Sequence, residues 1–479
     1  MTLPTQTLTI QDPGTQVTPP VSQIPVISGP CTGGSVAVNT VTQVSQPSQI
    51  RSLFGYGQLA EDLALALSKR GGPIYAIRHN ATGTALSAAA MTQAGSVTPP
   101  AMTLTGTPTD RFKVVVTVVV GGTRGTATFK YSLDAWDANV ATPTQSQVRA
   151  TAATYVMANS GLTINMATGT YVAGDTYTLE VVPPEVGTTD LAAVAAVLQA
   201  DPTLDFYLWL VSGSQPDEVT AEGVAVALSG HISTLRNTYR YVRGFVDIGS
   251  EDTSANVHIE NAAWTSTTVC PGYGYVLRTS LLPYEGFTTR KISCSSGIAI
   301  RAMGSLISTD LARFADGPDE GVSKIYFDSL YDTTLDTDGV ATMRTWPGAS
   351  GFYIAGGKLK APFGSNFTDV QYGRIMDVAC KTTYLKQLQF EADSFRTVAV
   401  TGVIDPRDAA QVEQIVGDAL SDVLTRPNNA RGVPGHVSSF TYTVDQTVNL
   451  VSTGQLKTTV SMVPLGYPKD IRTTLLFTL

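Results

Sequence analysis

Hydrophobic positions recur along the chain with two different periods, that of helices and that of strands. Some segments combine both periods, and others show the strand period alone. The segment "GYGQLAEDLALALSKRGGPIYAIRH" predicts a helix with leucines on one face, a stop at Gly71-Gly72 and then a buried strand. After residue 184 the same order returns in "TTDLAAVAAVLQA" then "DFYLWLVSG", and in "EVTAEGVAVALSGHISTLRN" then "YRYVRGFVDIG". Amphipathic helices that alternate with short apolar strands predict a mostly parallel α/β sheet.

Between these stretches the pattern is that of strands alone. The segments "FKVVVTVVV", "GTATFKYSLD", "GLTINMATG" and "DTYTLEVV" are rich in Val, Thr and Tyr, and Gly or Asp turns separate them. Paired prolines, Pro99-Pro100 and Pro183-Pro184, stand at the two ends of this region. We therefore expect an inserted all-β module over residues 99–184, built like a small sandwich.

A third block, of α+β character, begins near residue 346. The segment "IDPRDAAQVEQIVGDALSDVL" predicts a helix that Asp405 caps and Pro406 opens, and an earlier helix passes through Ile375 and Leu388. Strands follow in "SFTYTVD" and "LKTTVSMV". A pair of helices covering a sheet is the expected arrangement.

The chain ends in a segment with strand periodicity. Every second residue of a strand points to the same side, and on one side these residues are mostly apolar. They are Ile471, Thr473, Leu475, Phe477 and Leu479. A terminal strand rich in Leu and Phe stays ordered only if a sheet receives it. The receiving sheet belongs either to the same subunit or to another one.

The N-terminal segment has the composition of an extended arm. Asp12 is the sole charged residue among the first fifty, and repeated prolines prevent a long helix. Valine and isoleucine between those prolines favour extended backbone. We expect residues 1–28 to form an arm that becomes ordered against a partner.

Composition and charge exclude several classes of function. Charged residues make up 15% of the chain, the net charge is -8, and no Lys/Arg cluster could neutralise nucleic-acid phosphates. No secretion signal or membrane-length apolar stretch is present, so we expect a soluble protein without membrane insertion. The four cysteines lack CxxC spacing, which favours buried free thiols over a zinc site or disulfides.

An enzyme is the less favoured interpretation. Asp247, His231 and Ser295 could be imagined as a catalytic triad, but no GxSxG elbow or phosphate-binding loop occurs and the histidines fall in no known signature. The segment "DTTLDTDG" resembles a calcium loop only faintly, because its acids are out of register, and a turn is the better interpretation. We expect no catalytic residues, no cofactor and no metal.

Three segments resemble the C-terminal region of contractile tail sheath proteins of myovirus-type bacteriophages. They are "GSNFTDVQYGRIMDVAC", "IDPRDAAQVEQIVGDALSDVLT" and "VNLVSTGQLKTTVSMVPLGYPKDIRTTLLFTL", and "SLFGYGQLAEDLALALSKRGGPIYAIR" resembles the opening α/β unit of that family. The resemblance implies a subtilisin-like body, a β insertion where such sheaths vary, and terminal arms that add strands to sheets of neighbouring subunits.

The resemblance also implies the function and the partners. Sheath subunits form stacked hexameric rings around a tail tube and contract to drive that tube through the host envelope. Implied partners are further copies of the chain, the tube protein, and baseplate and tail terminator proteins, in a virion tail assembled in the host cytoplasm. Candidate basic residues facing the tube are Arg374, Lys381, Lys386, Arg407, Arg426 and Arg431.

Combined with the patterns, the resemblance divides the chain into six parts. They are the arm 1–28, the first body part 29–98, the outward-facing insertion 99–184, the second body part 185–345, the tube-facing assembly domain 346–465 and the donated strand 466–479. Alternatives are the sheath of a tailocin or extracellular contractile injection system, a virion decoration protein or adhesin, and a hydrolase with a subtilisin-like fold.

Overall fold

The computed structural model describes most of the chain, which divides into two compact units. The body unit comprises residues 24–305 and 310–373, and the C-terminal unit includes residues 306–309 and 374–469. The described residues are 24–80, 85–137, 143–182, 184–213, 215, 217–250 and 252–469.

The body unit contains helices and strands in three successive groups. The first is β1 (Val26–Gly29), β2 (Thr32–Gly33), β3 (Val41–Val44), α1 (Ile50–Phe54), β4 (Gly55–Tyr56), α2 (Gln58–Arg70) and β5 (Ile74–Arg78). The second is β6 (Leu86–Ala90), β7 (Thr92–Ala94), β8 (Met102–Gly106), β9 (Phe112–Val120), β10 (Gly122–Thr123), β11 (Thr128–Ser132), β12 (Arg149–Ala150), β13 (Thr154–Met157), β14 (Leu162–Met166), β15 (Thr170–Tyr171) and β16 (Thr176–Val181). The third is α3 (Thr188–Ala200), β17 (Leu208–Val211), α4 (Glu218–Arg236), β18 (Arg243–Asp247), α5 (Ser254–Asn261), β19 (Val269–Gly272), β20 (Tyr275–Tyr284), β21 (Phe287–Ser293), α6 (Cys294–Gly304), β22 (Val322–Ile325), α7 (Thr334–Thr337), β23 (Met343–Arg344) and β24 (Tyr353–Ile354).

The C-terminal unit is smaller and contains two long helices and a hairpin. Its elements are α8 (Val370–Gln387, which begins in the body unit), α9 (Pro406–Leu424), β25 (Val437–Val444), α10 (Leu450–Thr453) and β26 (Thr458–Pro464). Short 3-10 turns lie at Pro47–Gln49, Phe314–Asp316 and Leu388–Phe390.

A six-stranded sheet in the order β19-β18-β17-β1-β5-β3 forms the centre of the body unit. The strands from β19 to β5 pair in parallel and β3 is antiparallel at the edge. Helices α2 and α6 pack into the apolar core on one face, and α3 and α4 into the core on the other. The predicted α/β character is confirmed.

The central strand β1 corrects the predicted extent of the N-terminal arm. β1 lies between β5 and β17, and Val26 and Ile27 are fully buried on opposite faces of the sheet. The prolines around β1 suggested an exposed segment, but a short apolar strand flanked by prolines also suits the middle of a sheet. Residues 26–28 therefore belong to the body unit, and residues 1–23 lie outside the described residues.

Nine of the eleven strands from β6 to β16 form two sheets that enclose one core, and the other two, β10 and β15, pair with each other. We call residues 86–181 the β domain. One sheet has the order β12-β11-β9-β16-β7 and the other β13-β14-β8-β6. Phe112, Val114, Val116 and Val118 point from β9 into the shared core, as their alternation predicts.

The β domain starts earlier than the predicted boundary at residue 99. β6 and β7 are edge strands of its two sheets, and Pro99-Pro100 lies between β7 and β8 inside the domain. The sequence of these strands, "LSAAAMTQA", has small residues with weak strand propensity, so only cross-strand pairing reveals them.

The boundary of the C-terminal unit also differs from the predicted start at residue 346. Residues 346–373 belong to the body unit, where Ile354, Leu359 and Val370 are buried in the core beside α2 and α6. Burial of these apolar side chains among residues far away in the chain decides the grouping.

Helix α9 provides a direct test of the predicted cap. The Asp405 carboxylate accepts a hydrogen bond from the amide of Arg407 at 2.9 Å, and Pro406 occupies the first turn. Asp405→Ala should lower the free energy of unfolding of the C-terminal unit by about 1 kcal/mol, because a helix amide loses its acceptor. Urea unfolding followed by circular dichroism measures this. Gln411→Ala, at an exposed position of the same helix, is the matched control, and an equal loss in both variants would contradict the capping role.

Candidate assembly surfaces

The C-terminal unit carries a two-stranded antiparallel sheet that is covered on one face. β25 and β26 pair along their length, and Tyr442 and Val444 of β25 are buried in the core that α9 shares. Residues on the opposite face are exposed: Ser439, Thr441, Thr443, Thr459 and Ser461. Within the described residues this sheet has no third strand. Unpaired backbone groups at the edges of such a sheet can hydrogen-bond to a further strand, which makes it a candidate acceptor.

Residues 470–479 of the predicted donor strand 466–479 lie outside the described residues. Its positions Ile471, Thr473, Leu475, Phe477 and Leu479 therefore remain a prediction. In the described part of this segment, the Tyr467 hydroxyl donates a hydrogen bond to the carbonyl oxygen of Ser308 at 2.5 Å. Residue 467 is therefore attached to the C-terminal unit of its own subunit.

The six candidate tube-facing basic residues occupy three different environments. Arg374 is only 5% exposed and its guanidinium donates to the carbonyl of Leu306 at 3.3 Å, so it offers no surface to a tube. Lys381 and Lys386 on α8 are half-buried, and both take part in other interactions. The three exposed members are Arg407, Arg426 and Arg431.

Among the exposed residues, Arg426 is partly neutralised by its own helix. Its guanidinium donates to Asp422, one turn earlier, and lies 4.0 Å from Asp418. Residues four apart share a helix face, which brings Asp422 and Arg426 together. Of the three exposed arginines, Arg407 and Arg431 therefore contribute more positive charge to the surface of this unit than Arg426 does.

The carboxyl edge of the parallel sheet is the place where an α/β protein would hold a ligand or active site. Asp247, at the end of β18, is buried and accepts hydrogen bonds from the amide of Gln215 at 2.9 Å and the hydroxyl of Ser293 at 2.5 Å. The amide and hydroxyl of Ser250 donate to the same carboxylate. Burial raises the pKa of Asp247, while these donors act to lower it. Its acceptor capacity is thus taken up inside the protein.

A second buried carboxylate closes the same edge of the sheet, and sequence reasoning missed it. Asp62 of α2 accepts hydrogen bonds from the hydroxyls of Ser212, at 2.5 Å, and Ser296, at 2.7 Å. The available signal was an adjacent acidic pair, Glu61 and Asp62, inside an otherwise apolar stretch of helix. Both side chains are buried, which such a pair seldom achieves without partners.

The imagined triad does not assemble from these groups. Within the described part of the chain, no hydrogen bond joins His231 to Asp247 or to Ser295, and the buried Ser295 hydroxyl has no partner. Serine hydroxyls at this edge donate to carboxylates, whereas a nucleophile would donate to a histidine. The geometry supports a structural role for these groups.

The remaining candidate chemistry also resolves into local structure. Asp332 accepts a hydrogen bond from the amide of Thr334 at 3.0 Å, and Asp338 lies 2.5 Å from His258, so the acidic segment forms a turn and the short helix α7. The described residues contain no group of acids, histidines and cysteines that could hold a metal ion. All four cysteines are free thiols. None of the described helices has the length and apolarity needed to cross a membrane.

The fold of the chain is that of tail sheath proteins. It matches the helical sheath of the anti-feeding prophage in its contracted state over 95% of this chain and 92% of the other, with a TM-score of 0.51 and 12% sequence identity. A chain of the contracted anti-feeding prophage baseplate matches over 99% and 96%, with a TM-score of 0.50 and 13% identity. The sheath tail protein DSY3957 of Desulfitobacterium hafniense matches over 93% and 98%, with a TM-score of 0.45 and 9% identity.

The likenesses with TM-scores of 0.51 and 0.50 confirm the resemblance seen in the sequence, at the level of the fold. No family model and no curated protein sequence matches the chain. With identities of 13% or less, the comparisons do not assign a role to any single residue.

An acidic side chain near the carboxyl edge gives a pH-dependent prediction. Burial raises the pKa of Glu185 to about 7; nearby Arg111 lowers it, while Asp217 and Asp247 add to the rise. The native state therefore binds this proton more tightly than the unfolded chain does. The stability that this proton supplies is lost as the pH rises from about 4.5 to about 7.

Replacing Glu185 should remove that loss. In Glu185→Gln the fall in the free energy of unfolding between about pH 5 and pH 8 should shrink by about 1 kcal/mol, after allowing for solvent screening of a half-buried group. Chemical denaturation at both pH values measures it. Glu391→Gln, at an exposed position, is the control, and equal pH dependence in all three proteins would refute the assignment.

Proposed function

We propose that this chain is the subunit of a contractile tail sheath. Copies of it assemble as stacked hexameric rings around an inner tail tube and contract to drive the tube through a cell envelope. The supporting observation is the likeness to a helical sheath along nearly the full length of both chains. At the carboxyl edge of the parallel sheet, the buried carboxylates of Asp247 and Asp62 accept hydrogen bonds from groups of the protein itself. This arrangement adds support for a structural, non-enzymatic role.

Assembly proceeds in this proposal by strand addition. The residues before β1 and the strand after Lys469 leave the subunit and pair with the hairpin of β25 and β26 in neighbouring copies, where main-chain hydrogen bonds supply strength. Such contacts are heterologous and do not close on themselves, so they propagate into a helical tube. The further partners are a tube protein, a baseplate and a terminator protein, and the assembled location is a tail built in a host cytoplasm.

A second candidate shares this role in another particle. The likenesses with TM-scores of 0.50 and 0.51 are to chains of the anti-feeding prophage. This observation favours the sheath of a contractile injection system as the alternative to a phage tail. Electron microscopy of native particles separates the two, because only a phage tail carries a DNA-filled head.

Negative-stain microscopy of the purified protein tests the proposal directly. We expect long hollow tubes with a transverse ring repeat. A population of small, uniform particles at every protein concentration and ionic strength tried would refute the sheath assignment.

The terminal strand should be required for polymerisation but not for folding. A chain shortened to end at Lys469 should keep the circular dichroism and thermal transition of the full protein, because the removed strand pairs in another subunit. It should form no tubes. Unfolding of the shortened chain as a monomer would instead place the strand within its own subunit.

Point substitutions sharpen this test by using the two faces of the strand. Leu475→Asp with Phe477→Asp places charges on the apolar face and should abolish tube formation. Thr474→Asp with Thr478→Asp places the same charges on the opposite face and is the matched control. Equal loss of tubes in both double variants would contradict the predicted strand register.

Electrostatic contact with the tube should involve the exposed arginines of the C-terminal unit. Reversing Arg407, Arg426 and Arg431 to Glu should leave the formation of empty sheath tubes unchanged. The number of sheath tubes filled with tube protein should fall at least tenfold, which corresponds to a loss of about 1.4 kcal/mol in the free energy of binding. Co-assembly counted by microscopy measures this. Arg124→Glu in the β domain is the control, and normal filling by the triple variant would refute the contact.

A further inference from the structure

The β domain shares apolar side chains with the hairpin formed by β20 and β21. Phe287, at the start of β21, is 1% exposed and belongs to the core of the β domain. Its ring lies 5.2 Å from that of Phe112 in an edge-on arrangement and 5.0 Å from that of Tyr284. The amide of Leu133 donates to the carbonyl of Gly286 at 2.7 Å. The tip of the hairpin is therefore built into the β domain.

Ion pairs surround this shared apolar contact. Each one joins a residue of the β domain to a residue of the β20, β21 and β22 sheet or of its hairpin turn. The pairs are Asp110–Arg290, Asp137–Lys324, Arg149–Glu285 and Glu180–Lys291. Sequence separations of 111 to 187 residues show that only the tertiary structure brings them together.

The pair of Asp110 and Arg290 is the most deeply buried. The Nε of Arg290 donates to the carboxylate of Asp110 at 2.8 Å, and both side chains are 4% exposed. Burial acts to lower the pKa of Arg290, but the carboxylates of Asp110, Glu61 and Asp62 outweigh it and raise the pKa. Arg290 therefore stays charged. Separating this pair would leave a charge in an apolar environment, which is strongly unfavourable.

Lys291 forms a second contact across the same boundary. Its ammonium lies 4.7 Å from the ring centre of Tyr275 and 5.2 Å from that of Tyr326. Both rings belong to the part of the body unit outside the β domain, which we call the α/β part. From the β domain, the ring of Trp136 lies 5.4 Å away and the carboxylate of Glu180 3.4 Å away. Aromatic faces and a carboxylate together hold a cation more firmly than either does alone.

We infer that these ion pairs form an electrostatic clamp that holds the β domain and the α/β part in one orientation. A hinge movement of the β domain relative to the α/β part would have to break all four ion pairs and, at the same time, expose Phe287. If the proposed function holds, the β domain and the α/β part move as one rigid part when the sheath contracts.

Charge reversal at Lys291 tests the clamp in the unassembled protein. Lys291→Glu should accelerate hydrogen exchange of the amides of β11 and β21 at least tenfold, because two carboxylates then face each other. Lys291→Gln removes the ion pair without placing a second carboxylate beside Glu180, so it should accelerate the exchange less than Lys291→Glu does. Arg124→Glu is the control, since the Arg124 guanidinium donates to the Met166 carbonyl inside the β domain. Exchange in Lys291→Glu equal to that of the control would overturn the clamp.

A salt series on the unaltered protein provides a measurement that does not depend on variants folding. Raising the ionic strength from about 0.1 M to about 1 M shortens the screening length from about 10 Å to about 3 Å. Exchange at the boundary should accelerate severalfold while β1 and β17 keep their protection. Unchanged exchange at the boundary would contradict an electrostatic contribution.

Cryo-electron microscopy of extended and contracted tubes tests the rigid-part inference. We expect the same orientation of the β domain relative to the six-stranded sheet in both states. A rotation between the states would overturn that inference. Failure to form any tube would instead count against the proposed sheath function, while the exchange results on the free subunit would still decide the clamp.

Discussion

The pairing of β1 with β5 on one side and β17 on the other is the constraint on which the body unit depends. Successive side chains of a strand point to opposite faces of the sheet. Val26 therefore lies in the core beside α3 and α4, and Ile27 lies in the core beside α2 and α6. The indole of Trp209 donates to the Ser28 hydroxyl at 2.8 Å, which ties β17 to β1. Withdrawing this strand would open both cores.

Several buried carboxylates in this framework accept hydrogen bonds or ion pairs from within the protein. Asp62 and Asp247 each accept serine hydroxyls, and Asp110 neutralises Arg290. Buried ionic groups cost desolvation energy and are weak evidence for stability, but their partners must be arranged correctly before the cost is recovered. They therefore favour one packing of α2, β21 and the β domain over near alternatives.

The two units differ in how completely their surfaces are covered. In the body unit, helices pack on both faces of the parallel sheet. In the C-terminal unit, β25 and β26 have one covered face and, within the described residues, no further strand beside them. Val460 and Met462 of β26 are only partly buried there. The candidate assembly surface thus has one exposed sheet face.

Local periodicity in the sequence determined the elements, and tertiary structure decided their neighbours. Helix α3 occupies the predicted segment "TTDLAAVAAVLQA", and Asp405 caps α9, because period and capping chemistry depend on adjacent residues. The sequence did not reveal that residues 26–28 form the central strand, that β6 and β7 close the two β-domain sheets, or that Arg374 is buried. Strand pairing and burial depend on residues far apart in the chain, so only the folded structure could determine them.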